Sequence, residues 1–442
     1  MCRVFKVLTV TAGLLSAVAA EAQTREWTLG ECIEYARRNN ITVRNSEVSQ
    51  QIAGVELDQT KASRYPTLSF STNHNGVFQN KSTQYNEFIE KSDKVSYSGS
   101  YNLSSGVTLF GGGRIRNNIK QQHIALQALG YDTETARNDI EIAVVQAYLQ
   151  VLYAAEDLEV NRQTVELSTR TVERARHLFE AGSIARSDLA QLQSQLASDK
   201  YQVTVSENSL SQYKLQLKQL LELGEGESFE VAFPPLDDRS VLTPIPSVEQ
   251  VWGSAQSQMP QMQSGELNVS AAEAAESVAK ASFYPTVSLS AGMSTGTYSD
   301  MGAFFDQLNN KLNESVGVSV SIPIFNGKQA RSGLSRAKLQ TVSARLRLLS
   351  TRKELYSTIE SLHNDAVAAQ NRYVAACEQL TAAEESYRLA SEQFDAGLKN
   401  TVELVTEQNK YLSARSQQLQ AKFQAVLSLQ LLNFYRGEPI RL

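Results

Sequence analysis

The sequence predicts a mainly α-helical chain with a membrane β-sheet part, built from one unit written twice. Each copy holds a two-stranded β element followed by a long coiled-coil helical hairpin. Three observations lead there. Short blocks recur in one order at a nearly constant offset, period-two alternation marks two strands per copy, and two proline-free stretches carry a seven-residue apolar seam.

The chain has 442 residues, 42% apolar and 20% charged, with a mean hydropathy of −0.30. That average excludes a bundle of spanning helices, each of which needs about 20 apolar residues. A membrane β-barrel stays compatible, because its strands alternate apolar with polar residues. The apolar content, with 15 Phe and 17 Tyr, is enough to bury a core and argues against disorder.

Arg3 and Lys6 precede an apolar run from Val7 to Ala20, and Ala20-Glu21-Ala22 offers a small-x-small cleavage site before Gln23. Residues 1–22 therefore read as a secretory signal peptide. No Cys follows the apolar run, so a lipidated N-terminus is not expected. Removing Arg3, Lys6 and Glu21 leaves 40 basic and 46 acidic residues, a net charge of −6. So mild an acidic balance gives no reason to expect a nucleic-acid partner. Cys2 leaves with the signal, and Cys32 and Cys377 read as two separate buried thiols, although an oxidising compartment would permit pairing.

Residues 61–69 (KASRYPTLS) return as 280–288 (KASFYPTVS) at an offset of 219. Residues 103–116 (LSSGVTLFGGGRIR) return as 318–331 (VSVSIPIFNGKQAR), and FEAG at 179–182 returns as FDAG at 394–397, both at 215. Thr28-Leu29 and Ser247-Val248, again 219 apart, each open a helical pattern. The first repeat covers 23–233 and the second 247–442, joined by a proline-rich linker at 234–246.

Residues 28–63 have helical spacing and no proline. Strands are expected at about 65–79 and 94–110, then at about 284–297 and 314–325. In them Leu68, Phe70, Tyr97, Tyr101, Leu103, Val107 and Leu109 alternate with Ser, Thr and Asn, as do Val287, Leu289, Ala291, Val316, Val318 and Val320 with Ser and Gly. Tip loops fall near 80–93 and 298–313.

Long helices are expected at 114–181 and 329–396, each 68 residues and so ~100 Å long. Their return helices are placed at 187–222 and 401–433. Val144, Val151, Leu158, Val165, Val172 and Phe179 form one seam, and Ile359, Ala366, Tyr373, Leu380, Tyr387 and Phe394 form its counterpart. Small residues such as Ala147, Ala154, Ser168 and Ala175 follow three positions later and let helices approach closely.

An open four-stranded sheet with an apolar face would expose unpaired edges to lipid. The smallest outer-membrane barrels close with eight strands, so several copies must share one barrel.

The signal peptide, the TLGECIEYARRNN opening at 28–40, the duplicated KAS-x-YPT strand starts and the paired F-x-AG turns together resemble the TolC-like outer-membrane efflux channels. The resemblance covers nearly all of the mature chain. It implies a homotrimer with a twelve-stranded barrel and a twelve-helix periplasmic tunnel, docking to a periplasmic adaptor protein and an inner-membrane pump.

It also implies site residues. Ala181, Gly182 and Ser183, and Ala396, Gly397 and Leu398, match the turns that adaptor hairpins grip, with Ser183 the weaker match because the family often has Leu there. Asp188 matches the gate aspartate, Ser187 its neighbouring hydroxyl, Lys399 the gate arginine and Phe394 the gate tyrosine. Two of these depart from the pattern. Phe394 has no hydroxyl, and Lys399 cannot make a bidentate fork, so the lock is either weaker or rebuilt as an Asp188–Lys399 pair. A solvated Asp188 favoured by the helix dipole is the plain alternative. Glu403 matches an acidic entrance ring that favours cations, and the second ring position falls on Thr406. From the residues themselves, Tyr65, Tyr97, Tyr101, Phe110, Tyr284 and Phe325 suit interfacial girdles against outer-membrane lipid.

Catalysis finds no support. His74, His123, His177 and His363 are scattered without ligand spacing, and there is no G-x-S-x-G, P-loop or C-x-x-C. No cofactor or metal is expected. The expected function is an outer-membrane exit duct, a passive channel for drugs, small molecules or a secreted polypeptide that draws its energy from a partner. The rival reading is a secreted or surface coiled-coil protein without a pore, which does not need four alternating strands.

Overall fold

A computed structural model describes residues 26–81, 92–224, 229–234, 241–299 and 303–440. The expected signal peptide, most of the first strand tip and part of the linker lie outside the described residues. The elements in order are β1 (Glu26–Trp27), α1 (Leu29–Asn39), α2 (Ile41–Ala62), β2 (Thr67–Lys81), β3 (Ser92–Gly111), α3 (Arg114–Glu180), α4 (Arg186–Leu220) and β4 (Glu230–Val231). They continue as α5 (Val248–Gln258), α6 (Pro260–Lys280), β5 (Thr286–Tyr298), α7 (Phe304–Asn310), β6 (Asn313–Ser321), α8 (Gln329–Asp395) and α9 (Thr401–Arg436).

The two repeats start by the same device. Thr28 Oγ1 accepts from the Glu31 N–H while the Glu31 carboxylate accepts from the Thr28 N–H at 3.0 Å. Ser247 and Gln250 make the same reciprocal pair at 3.4 Å. The helix expected over 28–63 is broken at Asn40, which is extended (ψ 133°) and whose side chain bonds the Thr42 N–H and the Leu220 carbonyl. At the matching place Met259 is extended ahead of Pro260, which disfavours the helical region for the residue before it.

The chain divides into two compact units that cut across the repeats. One comprises Ser46–Glu134 and Pro260–Lys353, and the other holds the remaining segments, including Thr135–Met259.

The first unit contains an antiparallel sheet of order β2-β3-β5-β6, so the strands of the two repeats join directly through β3 and β5. Leu68, Ser105, Ala291 and Val316 form one row, Phe70, Leu103, Met293 and Glu314 the next, and Val107, Leu289 and Val318 lie on the same face. The other face is small and polar, with rows such as Ser69, Ser104, Gly292 and Ser315.

A bulge at Leu109 lets Phe110, not Leu109, pair with Val287, and the apolar face continues through Phe110. β6 ends at Ser321, short of the expected Phe325, where Pro323 removes a ladder donor. The expected loop at 298–313 holds the short helix α7. Gly112 turns the chain from β3 towards α3 at φ 61°. A Cβ there would lie 2.6 Å from Cβ of Tyr284, so the close approach requires glycine.

The second unit packs helices around a continuous apolar core. Val144, Val151 and Ile359 of the two seams are fully buried, as is Tyr148, whose hydroxyl donates to the Ala232 carbonyl at 2.6 Å beside the β1–β4 pair. Cys32 is buried in the same core, and burial pushes its thiol up to about 12; Cys377 is partly exposed.

Candidate functional site

The α3–α4 and α8–α9 connections are the same turn made twice. Gly182 has φ 76° and Gly397 φ 73°, the left-handed region that only glycine enters freely. The Gly182 N–H donates to the Phe179 carbonyl at 2.9 Å and the Ser183 N–H to Leu178 at 2.8 Å; Gly397 and Leu398 repeat this with Phe394 and Gln393 at 3.0 and 2.8 Å. These bonds satisfy the last carbonyls of each helix. No atom lies within 4 Å of where a Cβ would stand on either glycine. Ala181, Gly182, Ser183, Ala396, Gly397 and Leu398 are all exposed, giving two approachable backbone knuckles.

Beneath them Val172, Ala175, Leu192, Phe394, Leu404 and Val405 form one buried cluster. The repeat-equivalent phenylalanines part company: Phe394 is 4% exposed and Phe179 37%. Phe394, expected from the resemblance at a gate position, is thus a core residue here. The Arg174 guanidinium pairs with the Asp395 carboxylate and ties the ends of α3 and α8.

A cleft of about 530 Å³ opens between the turns, with Gly182, Asp188, Phe394, Gly397, Lys399 and Thr401 among its lining. Asp188 bends back on its own helix, accepting from the Ala185 N–H at 3.2 Å in the first turn of α4. Among the described residues no ion pair joins Asp188 to Lys399, although both line this cleft. Ser187 is exposed one residue before Asp188. Asn400 caps α9 by accepting from the Glu403 N–H at 2.9 Å, and the Glu403 side chain is exposed, as is Thr406. One turn on, Lys410 and Ser386 hydrogen-bond Glu407 and hold its carboxyl below the usual range.

Further from the turns lies a buried polar layer that the heptad pattern did not reveal. Ser168 of α3 donates to the Asp199 carboxylate of α4, Gln408 of α9 donates to Ser168 Oγ at 2.9 Å, and Gln195 donates to Asp199 at 2.9 Å. Its signal was a charged residue, Asp199, three positions after Leu196, which packs against the buried cluster below the turns. Asp157, Asn161 and Ser206 form a second, half-buried polar layer. In the second repeat the positions of Asn161, Ser206, Ser168 and Asp199 hold Ala376, Ala421, Ala383 and Ala414.

The candidate girdle residues divide by height on the sheet. Tyr65, Tyr284 and Phe325 flank strand ends and are exposed, with Phe110 beside them after the bulge. Tyr97 and Tyr101 sit mid-strand with His74, whose ring is 5.7 and 5.4 Å from theirs. Among the described residues no helix is long and apolar enough to cross a membrane, and no group of three His, Cys, Asp or Glu is placed to hold a metal ion.

Residues 32–222 and 251–438 match the family described as outer membrane efflux protein. The chain belongs to the outer membrane efflux protein family. Among other members, it is 26% identical over 305 residues to the pyoverdine export outer membrane protein OpmQ of Pseudomonas aeruginosa, covering 67% of this chain and 59% of OpmQ. It is 24% identical over 319 residues to the probable outer membrane lipoprotein SilC of Salmonella typhimurium, covering 69% and 63%. The chain thus spans less than two thirds of the length of each of these relatives. A crystal structure of CusC superposes with a TM-score of 0.79 at 17% identity over 97% of this chain and 96% of that one, which establishes the shared fold.

Proposed function

We propose that this chain is a subunit of the outer-membrane exit duct of a tripartite efflux or secretion system. It is a passive channel for drugs, other small molecules or a secreted polypeptide. The observation that carries this is the sheet, with its apolar face, its face of Ser, Asn and Gly, and its unpaired outer edges at β2 and β6. Such edges are not tolerated in lipid, and four strands are too few to close. Since neighbours already run antiparallel, β6 of one copy meets β2 of the next in the same sense. A homotrimer closes a twelve-stranded barrel with an apolar outside and a polar lumen. Membership in the efflux family supports the same assembly.

The two glycine turns face a periplasmic adaptor protein, and an inner-membrane pump supplies the energy; the chain itself catalyses nothing. Asp188, Ser187 and Lys399 control the periplasmic mouth above the packed Phe394 ring, and Glu403 supplies one carboxylate per copy to a ring favouring cations. Gly397→Trp tests the docking. Because the turn is exposed, faces open space and bears a backbone strain of only about 1–2 kcal/mol, assembled oligomers should persist while export is lost. Unchanged export would overturn the adaptor contact.

A further inference from the structure

In the second repeat's half of the sheet the apolar face stops at a defined level, while on β3 it carries on through Tyr101 and Tyr97. Along β5 it runs Val287, Leu289, Ala291, Met293, and the next residue on that face is Thr295, in one row with Tyr101 and Thr72. On β6 the boundary falls one row earlier, between Val316 and Glu314, which pairs with Met293. The helix α7 is fastened there. Thr295 Oγ1 donates to the Leu308 carbonyl at 2.7 Å, and the Phe304 ring stands edge-on to Tyr101 at 6.3 Å.

A second attachment lies at the strand edge. Pairing of β5 with β6 ends at Ser294–Asn313, and beyond it the Gln307 side chain takes the place of a strand. Its Oε1 accepts from the Tyr298 N–H at 2.7 Å and its Nε2 donates to the Tyr298 carbonyl at 2.9 Å. Gln307 is 5% exposed. On the opposite, small-residue side the Lys311 ammonium lies 4.3 Å from the centre of the Tyr298 ring. The helix is thus fixed in orientation, yet Phe305, packed edge-on against Phe304 at 5.4 Å, is 79% exposed.

We propose that α7 is a lateral foot whose Phe304–Phe305 pair enters the lipid surface of the outer leaflet, at the headgroup boundary. This rests on the reading of the apolar face as lipid-facing. Three features choose lipid as the occupant. The pair is continuous with the apolar face through Tyr101 and begins on the row where that face turns polar on β5, at Thr295. Its neighbours Asp306, Asn309 and Asn310 are polar and exposed, as suits a short amphipathic helix lying in an interface. Phe rings supply the apolar side of such an interfacial helix, which sinks them just below the headgroups while its polar residues stay wet.

The test is nitroxide accessibility in the full chain reconstituted in vesicles of outer-membrane lipid, with Cys32→Ala and Cys377→Ala as background. Labels on Phe305→Cys, Leu289→Cys and Ser290→Cys are probed with oxygen, which concentrates in lipid, and with an aqueous nickel chelate. The foot predicts an oxygen-to-nickel ratio at 305 several-fold above that at 290 and below that at 289. A nickel-dominated ratio at 305 equal to that at 290 would place α7 in water, and protection from both reagents would place it under protein; either overturns the foot. A nickel-dominated label at 289 would overturn the lipid-facing sheet itself, and the foot with it.

Discussion

Gln408 Nε2 donates to Ser168 Oγ at 2.9 Å, and Ser168 donates in turn to Asp199, so one buried layer links α9 of the second repeat to both helices of the first hairpin. Each member is less than a tenth exposed. Truncating one leaves the others with unmet polar groups, so Gln408→Ala should destabilise the helical region by about 1–3 kcal/mol. In a Ser168→Ala/Gln408→Ala cycle the two effects should couple by about 0.5–3 kcal/mol. Hydrogen exchange of α3, α4 and α9 measures both, and strict additivity would show that the layer is not a unit.

The glycine turns should fail by conformation, not by collision. Gly397→Ala should cost about 1–2 kcal/mol at its left-handed φ although its surroundings are empty. Asn, which tolerates that region, should be milder than Ala, and Val should be harsher. Limited proteolysis at the turn ranks them, and equal protection of all three would reject the backbone explanation.

Asp188 caps α4, and the proposed gating role of its charge can be separated from that cap. Asp188→Asn keeps an acceptor for the Ala185 N–H and removes the charge, whereas Asp188→Ala removes both, adding a loss of about 1 kcal/mol for the missing cap. If the charge helps to close the mouth, both variants raise single-channel conductance and uptake of bulky antibiotics. Unchanged conductance in both would leave Asp188 as a cap alone. Glu403→Gln should in parallel weaken block by divalent cations, and retained block would remove the ring.

Arg37 and Glu141 pair at 2.8 Å between α1 and α3, with the Glu141 side chain mostly buried. Burial raises the Glu141 carboxyl, and Arg37 opposes that rise. Arg37→Ala should therefore raise it further and destabilise by about 1–3 kcal/mol at neutral pH. A carboxyl raised in the folded state binds more protons than in the unfolded state, so stability is lost as pH climbs past the unfolded value and regained as pH falls. The Arg37→Ala defect should shrink between pH 7 and pH 5, while Glu141→Gln shows no such dependence. Thermal unfolding followed by circular dichroism separates them, and a pH-independent Arg37→Ala defect would contradict the burial.

Much of the fold was legible because it follows from periodicity. The alternation of Leu289 with Ser288 and Ser290 marks a two-faced strand, and the 215-residue offset places Gly182 and Gly397 in equivalent turns. What escaped is tertiary. Nothing local distinguishes Leu109 as the bulge residue, and the Asn40 break depends on a bond to Leu220, 180 residues away. Of the candidate site, the turn geometry could be read from the glycines. The burial of Phe394 beside an exposed Phe179 could not, because the seam positions are identical in sequence and differ only in neighbours.

The central claim is that copies of this chain share one barrel in the outer membrane. Fractionating cells and running the outer-membrane extract on an unheated gel tests it most directly. The account predicts recovery in that fraction as a heat-sensitive species of three copies, which boiling converts to the monomer. Recovery as a soluble monomer, unchanged by heating, would contradict it.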